Sequence, residues 1–267
     1  MTGEFSPTWL TLREPADAAA RARDLIDTLR LPAGGELVIR DLGCGTGSMG
    51  RWLAPRLPGP QRWVLQDRDP ALLAHAATQL PSAAADGTAV TVETAEGDVT
   101  GLTVADLAGT SLVTCSALLD LFTTEEVTAL AEVCVASDTP ALFTLSVTGE
   151  VTLDPADPRD AEVADAFNAH QRRAVGGRRL LGPEAVGATA EAFARAGGSV
   201  TVRSSPWELG PEHAALAAEW LRGWVRAATE QRPELDLDDY LAARAAAAAA
   251  GRLRVTVWHQ DLLAQKD

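Results

Sequence analysis

One short segment constrains this chain more than any other. An apolar run, Leu37, Val38 and Ile39, leads into Asp41-Leu42-Gly43-Cys44-Gly45-Thr46-Gly47, and residues 48–57 then read as a helix. The order is strand, glycine turn, helix. Glycines at 43, 45 and 47 remove Cβ atoms where a ligand must approach the backbone and where φ turns positive. The helix that follows aims its free N–H groups back at the turn. Such a loop needs a sheet to hang from.

The rest of the chain supplies one. Trp63, Val64 and Leu65 form a second apolar run, closed by Gln66 and Asp67. Asp69 and Pro70 suit the N-cap and first turn of a helix reaching Leu80. Strands are predicted at 89–94, 112–115, 141–147 and 200–203, with helices at 124–135 and 183–196. Ahead of the glycine loop, Ala18, Ala22, Leu25, Ile26 and Leu29 predict a helix over 15–31, with Pro15 in its first turn, after an irregular lead-in at 1–14. Past residue 206, helices are predicted at 212–230 and 237–250, and a last strand at 253–260. This alternation predicts an α/β fold, a doubly wound, mostly parallel seven-stranded sheet. The 267 residues suit a single domain. Its expected parts are an N-terminal cap helix within 1–35, a ligand-binding core over 36–206 with an insertion at 148–182, and a segment 207–267 that adds helices before the final strand.

Two ligand classes fit the loop. Gly45, Gly47 and Gly50 spell GxGxxG, the dinucleotide fingerprint. The same turn written DxGxGxG suits S-adenosylmethionine. Asp41 separates the two. A carboxylate there repels a pyrophosphate and attracts the ammonium of a zwitterionic, sulfonium-bearing ligand.

Taken with three later segments, the loop resembles the class I S-adenosylmethionine-dependent methyltransferases. The likeness covers 36–147 well and 183–206 loosely. Asp41 to Gly47 matches the first motif of that family at every position. Asp67 matches the acid that takes the ribose hydroxyls, with Arg68 beside it. Gly97-Asp98-Val99 matches the segment that meets adenine, Asp98 through the amino group and Val99 through its N–H. Residues 111–120, with Ser116 and Asp120, resemble the fourth-strand segment lining the transferable methyl. The resemblance implies S-adenosyl-L-methionine as cofactor and no metal. It implies a cofactor site of Asp41, Gly43, Cys44, Gly45, Gly47, Asp67, Arg68, Asp98, Val99 and Ser116. Methyl transfer to a small-molecule acceptor by in-line displacement follows as the expected activity. An NAD(P)-dependent oxidoreductase built on residues 45–50 stays open, as do a non-catalytic S-adenosylmethionine-binding protein and an aminopropyl or carboxypropyl transferase. Against the oxidoreductase, the single tyrosine, Tyr240, makes no YxxxK pair.

Ligands of this fold sit outside the carboxyl ends of the strands, so the insertions at 148–182 and 207–251 are candidate lids. The first holds Arg172, Arg173, Arg178 and Arg179 beside His170, the densest basic cluster in a chain of net charge −14. Arginine forks suit carboxylates and phosphates. An anionic acceptor on Arg172 and Arg173, with His170 as base, is therefore one expectation; a solvated helix face with a loose Gly176-Gly177 loop is the other. Leu216, Trp220, Leu221 and Trp224 form an apolar packing stripe. Trp9, Arg13, Glu14 and Asp17 could close over the cofactor, and His259 and Asp261 read as structural or surface residues. The acidic balance disfavours nucleic acid and anionic membranes as partners. Three scattered cysteines, no leader-like start and no long apolar run predict a soluble, cytoplasmic protein. Oligomeric state is not readable. HExxH, GxSxG and Walker patterns are missing.

Overall fold

The computed structural model describes residues 6–266. The first helix, α1 (Pro7–Ala20), starts earlier than the sequence suggests. Ser6 accepts the Trp9 N–H at 3.2 Å and Pro7 takes the first turn, a ready-made N-cap pair. Pro15 lies inside the helix instead of opening it. The helix runs through it because Trp9, Leu12, Ala16 and Ala20 lie on one face and pack into an apolar cluster. It breaks at Arg21, and a short α2 (Asp24–Thr28) follows. The expected continuous helix over 15–31 is thus two pieces.

The chain then builds β1 (Leu37–Leu42), α3 (Ser48–Leu53), β2 (Gln61–Asp67), α4 (Pro70–Ala77), β3 (Val90–Glu96), β4 (Leu112–Ser116), α5 (Thr124–Ala136) and β5 (Ala141–Asp154). Next come α6 (Asp160–Gln171), a small hairpin of β6 (Ala174–Val175) and β7 (Arg178–Arg179), α7 (Ala185–Ala196), β8 (Ser199–Ser204) and β9 (Trp207–Leu209). Finally α8 (Ala214–Gln231) and α9 (Asp238–Ala249) precede β10 (Arg254–Gln265). The sheet order is β3-β2-β1-β4-β5-β10-β8, with β9 added beside β10. β10 runs antiparallel to β5, β8 and β9, while the pairs among β1 to β5 are parallel. The doubly wound, mostly parallel α/β architecture is as expected. The inserted helices leave the final strand in its place between β5 and β8.

Two apolar layers sandwich the sheet. Leu112, Leu142 and Trp63 meet α3 and α4 on one side, while Val113, Phe143 and Leu262 meet α5 and α7 on the other. Strands covered on both faces read as continuous apolar runs, which is why β4 was legible. Each fully buried Leu, Ile or Phe contributes about 1.5–3 kcal/mol. β3 is different. Residues 98–111 form no helix, so the neighbouring sheet face stays polar, with Arg62 bridging Glu36 and Glu93 at 3.1 and 3.2 Å.

A third cluster joins segments distant in sequence. α1, α6, α8, α9, β9 and the far halves of β5 and β10 share it. β5 and β10 exceed their predicted lengths because they continue as an antiparallel pair from Ala141 opposite Ala264 to Asp154 opposite Arg254. This extension carries the two insertions above the carboxyl edge of the sheet.

Candidate functional site

The loop after β1 takes the conformation that its glycines permit. Gly43, Gly45 and Gly47 have φ of 62°, 54° and 83°. A Cβ on Gly43 would stand 2.5 Å from Leu118 Cδ2, and one on Gly45 would stand 3.3 Å from Leu10 Cδ1. The loop is therefore closed from the segment after β4 on one side and from α1 on the other. Asp67 anchors it: Oδ2 accepts the Gly45 N–H at 2.9 Å, and Oδ1 accepts the Asp69 N–H at 3.1 Å. The Cys44 thiol is buried, donates to the Gly45 carbonyl at 3.6 Å, and is pushed upward by burial and then by Asp41 and Asp67.

Behind the loop lie two buried opposite charges. Asp41, 1% exposed, accepts from Thr114 Oγ1 at 2.7 Å through Oδ1; its Oδ2 is buried without a partner. Arg21, 2% exposed, donates from Nη2 to Ser48 Oγ and Ser116 Oγ, both at 3.2 Å; its Nε and Nη1 are buried without partners. The guanidinium lies over the Trp52 ring at 5.4 Å. Burial lowers the Arg21 pKa, opposed by Asp17, Asp261 and Asp41. Burial pushes Asp41 up to about 7, against the Thr114 hydrogen bond and the charge of Arg21. Orphaned buried polar atoms cost about 1–3 kcal/mol each, more when charged, and a ligand that partners them would offset that cost. An α-amino carboxylate is its complement, with ammonium to Asp41 Oδ2 and carboxylate to Arg21.

Asp41 makes the stability of the fold depend on pH. Its folded pKa lies above the ordinary 3.8, so the folded state holds more protons between about pH 4 and 7. Stability from this group falls as pH rises through that window and is flat above it. Asp41→Asn removes the cost. The variant is expected to melt above the wild type at pH 8, with the advantage gone near pH 4. A lower melting point at pH 8 would show that the charge is stabilising.

α1 lies against the loop and is tied to it. Glu14 forms a bidentate pair with Arg51 of α3 at 2.7 and 2.5 Å, and Arg51 also donates to the Thr46 carbonyl at 2.5 Å. Arg13 pairs with Asp17 at 2.9 and 3.2 Å and lies 4.9 Å from the Trp207 ring; Trp207 Nε1 donates to Asp17 at 3.0 Å. His259, read as structural or surface, is buried beside Trp207 at 5.2 Å between ring centres, and burial lowers its pKa to about 3. It stays neutral at ordinary pH.

Asp120 stands beyond the carboxyl end of β4. It lies in a 3-10 turn, Leu119–Leu121, directly after β4. It is half-buried. Burial raises its pKa to about 6, although its own N–H, Arg13 and Arg173 pull the other way. A carboxyl group titrating there can accept a proton near neutral pH.

The other predicted residues are distributed as follows. Ser116 also accepts from Thr144 Oγ1 at 3.0 Å, which seats it beside Arg21. Asp98 is exposed at the end of β3; Oδ1 accepts the Thr100 N–H and hydroxyl, both at 2.8 Å. Those bonds lower its pKa, helped by Arg178 and Arg68. Val99 packs on the core. A cleft of about 290 Å³ opens beside Asp98, lined by Arg40, Gln66 and Asp106 among others. His170, Arg172 and Arg173 stand apart from the loop, at the end of α6. His170 Nε2 meets Glu230 of α8 at 3.2 Å, and Arg173 Nη1 meets His170 Nδ1 at 3.1 Å. Arg172 faces Glu184 at 3.7 Å, and Arg178 pairs with Glu126 at 2.7 Å. Much of the basic cluster thus ties this insertion to its neighbours. Arg21 was missed by sequence reasoning, because it falls inside a stretch that scans as ordinary amphipathic helix. The Ser6-Pro7 start was the available signal that the helix lies further upstream.

Residues 39–137 match the family model of a methyltransferase domain. No curated protein sequence matches the chain. Among solved structures, the chain is similar to the mycolic acid cyclopropane synthase CmaA1 complexed with S-adenosylhomocysteine and CTAB, at 16% identity and TM-score 0.50, over 98% of this chain and 94% of that one. It is also similar to a candidate methyltransferase from Bacillus halodurans C-125, at 15% identity and TM-score 0.50, over 91% and 97%. At such identities the likeness speaks for the fold.

Proposed function

We propose that this protein binds S-adenosylmethionine and transfers its methyl group to a small-molecule acceptor, on the match of residues 39–137 to the family model of a methyltransferase domain and on the fold. The observation that carries the reading is the pair of orphaned opposite charges behind the glycine loop, Asp41 Oδ2 and Arg21 Nε and Nη1. Together they fit the amino-acid end of the cofactor. A dinucleotide has a pyrophosphate at this place and no ammonium for Asp41, which weighs against the oxidoreductase.

When bound, S-adenosylmethionine supplies an electrophilic methyl carbon on a good leaving group. The residues of the chain then have modest tasks. Asp41, Arg21 and Asp67 hold and orient, and the glycine loop admits the ligand to the backbone. α1 and the inserted helices exclude water. Asp120 takes a proton where the acceptor atom must lose one. A small acceptor is favoured by the lid elements gathered over the sheet edge and by the net charge of −14, which repels nucleic acid. The positive charge of Arg173, which pulls the Asp120 pKa down, supports an anionic group on that acceptor. Among the described residues no helix is long and apolar enough to cross a membrane, and no group of side chains suits a metal ion.

Titration calorimetry with S-adenosylhomocysteine and with NADH separates the two classes. Binding of S-adenosylhomocysteine and none of NADH is the expected result. Binding of NADH alone would replace the methyltransferase reading with the oxidoreductase.

A further inference from the structure

We infer that Asp261, on the last strand, is a positioning residue for the amino-acid end of the cofactor and acts through Arg21. This rests on the methyltransferase reading above. Asp261 has no exposed surface. Its Oδ1 accepts the Leu145 N–H at 2.7 Å and the Ser205 hydroxyl at 2.6 Å, and its Oδ2 accepts the Ala22 N–H at 2.8 Å. One carboxylate therefore gathers three segments: β5, the link after β8, and the residue immediately following Arg21.

Two of those bonds serve the sheet. Between Gln260 and Leu262 the register of β10 against β5 shifts, and Leu145 adopts φ 57° there, a left-handed conformation that leucine rarely takes. Its N–H is turned out of the ladder and is caught by Asp261. Ser205 completes that corner. Neither bond requires the third. The Ala22 bond reaches a segment 239 residues away, where α1 ends. Arg21 leaves the helix at φ −54°, ψ 133° while its own N–H still bonds the Asp17 carbonyl. The backbone is held on both sides of Arg21, by Asp17 before it and by Asp261 after it. That pins the Arg21 side chain, with Nη2 on Ser48 and Ser116 and two nitrogens left for a ligand. A site is only as well aimed as the shell that fixes its rotamers.

The test compares S-adenosylhomocysteine with 5′-methylthioadenosine, which keeps the adenosine and lacks the amino-acid end. In Asp261→Asn one acceptor oxygen becomes an NH2 group, so at least one of the three donors loses its partner. Calorimetry on the full chain is expected to show S-adenosylhomocysteine weakened about tenfold or more, and 5′-methylthioadenosine changed less than about twofold. In an Arg21→Ala background the same substitution is expected to weaken S-adenosylhomocysteine no further, as a double-mutant cycle demands of a residue acting through Arg21. Ala22→Pro deletes the donor and leaves the carboxylate. The dihedrals of Arg21 already suit a residue before proline, so this variant carries the comparison if Asp261→Asn does not fold. Ser205→Ala is expected to lower stability without selecting between the ligands. Equal loss of both ligands in Asp261→Asn or Ala22→Pro, or additive losses in the cycle, would overturn the role and leave Asp261 a support of the sheet. A wild type that binds neither ligand would overturn the methyltransferase reading itself, and this inference with it.

Discussion

Arg21→Ala is expected to weaken S-adenosylhomocysteine about a hundredfold while leaving 5′-methylthioadenosine within a few-fold of wild type. The magnitude comes from the environment. Arg21 is 2% exposed, and its Nε and Nη1 have already lost their water without gaining a partner. A carboxylate that meets them gains charged hydrogen bonds, about 1.5–3 kcal/mol each, with little new desolvation to oppose them. About 2.7 kcal/mol is a hundredfold in Kd. The truncation also empties the space over Trp52 and strips Ser48 and Ser116 of a donor, so a loss of folding stability is expected alongside. That loss falls on both ligands, whereas the electrostatic loss falls only on the one with a carboxylate. Arg21→Lys keeps a charge but not the planar fork, and is expected to recover part of the affinity. Equal weakening of the two ligands by Arg21→Ala would remove Arg21 from the cofactor site.

Asp120→Asn is expected to lower kcat by a factor of about 10² to 10⁴, the usual range for a general base, with S-adenosylhomocysteine affinity unchanged. The pH profile gives the sharper readout. Burial holds the Asp120 carboxyl at about 6, and only the ionised form accepts a proton. Wild-type kcat/KM should therefore rise through about pH 6 and level off above it. The variant should lose that inflection and keep a flat residual rate. Two other buried groups have shifted values. Asp41, at about 7, would report through cofactor affinity, and His259, at about 3, is neutral throughout the range. Reading kcat and cofactor Kd separately distinguishes Asp120 from Asp41. An Asp120→Asn enzyme with wild-type kcat and an unchanged inflection would exclude Asp120 from the chemistry.

The core of the fold was legible because its signals are local. β1, β2 and β4 are apolar runs buried on both faces, and the glycine turn between β1 and α3 is written in adjacent residues. The capping box of α5 is likewise local, with Thr123 and Glu126 each satisfying the other's backbone N–H. Non-local elements were less legible. The far half of β5 begins past Thr148, Gly149 and Glu150, which look like a loop in isolation and form the irregularity where the register against β10 shifts; pairing resumes with Val151 opposite Val257. β9 is three residues long and exists because β10 runs beside it. α1 was displaced because Pro15 resembles a helix start, whereas packing of Trp9, Leu12 and Ala16 against the lid cluster carries the helix through it.

The candidate site divides in the same way. Asp41, the three loop glycines and Asp67 announce themselves, since a βα turn that must admit a ligand needs residues of those types at that spacing. The sequence by itself determined the sheet, the loop and the carboxylates at the ends of two adjacent strands. Only the tertiary structure decided what faces them. Arg21 comes from a helix that pattern reading placed elsewhere, Asp120 acquires a raised pKa from the protein packed around it, and Asp261 gathers donors from three distant segments. Periodicity shows which side of an element is apolar. It carries no information about which buried charge will meet which, because that depends on desolvation and on contacts made after the segments have packed together.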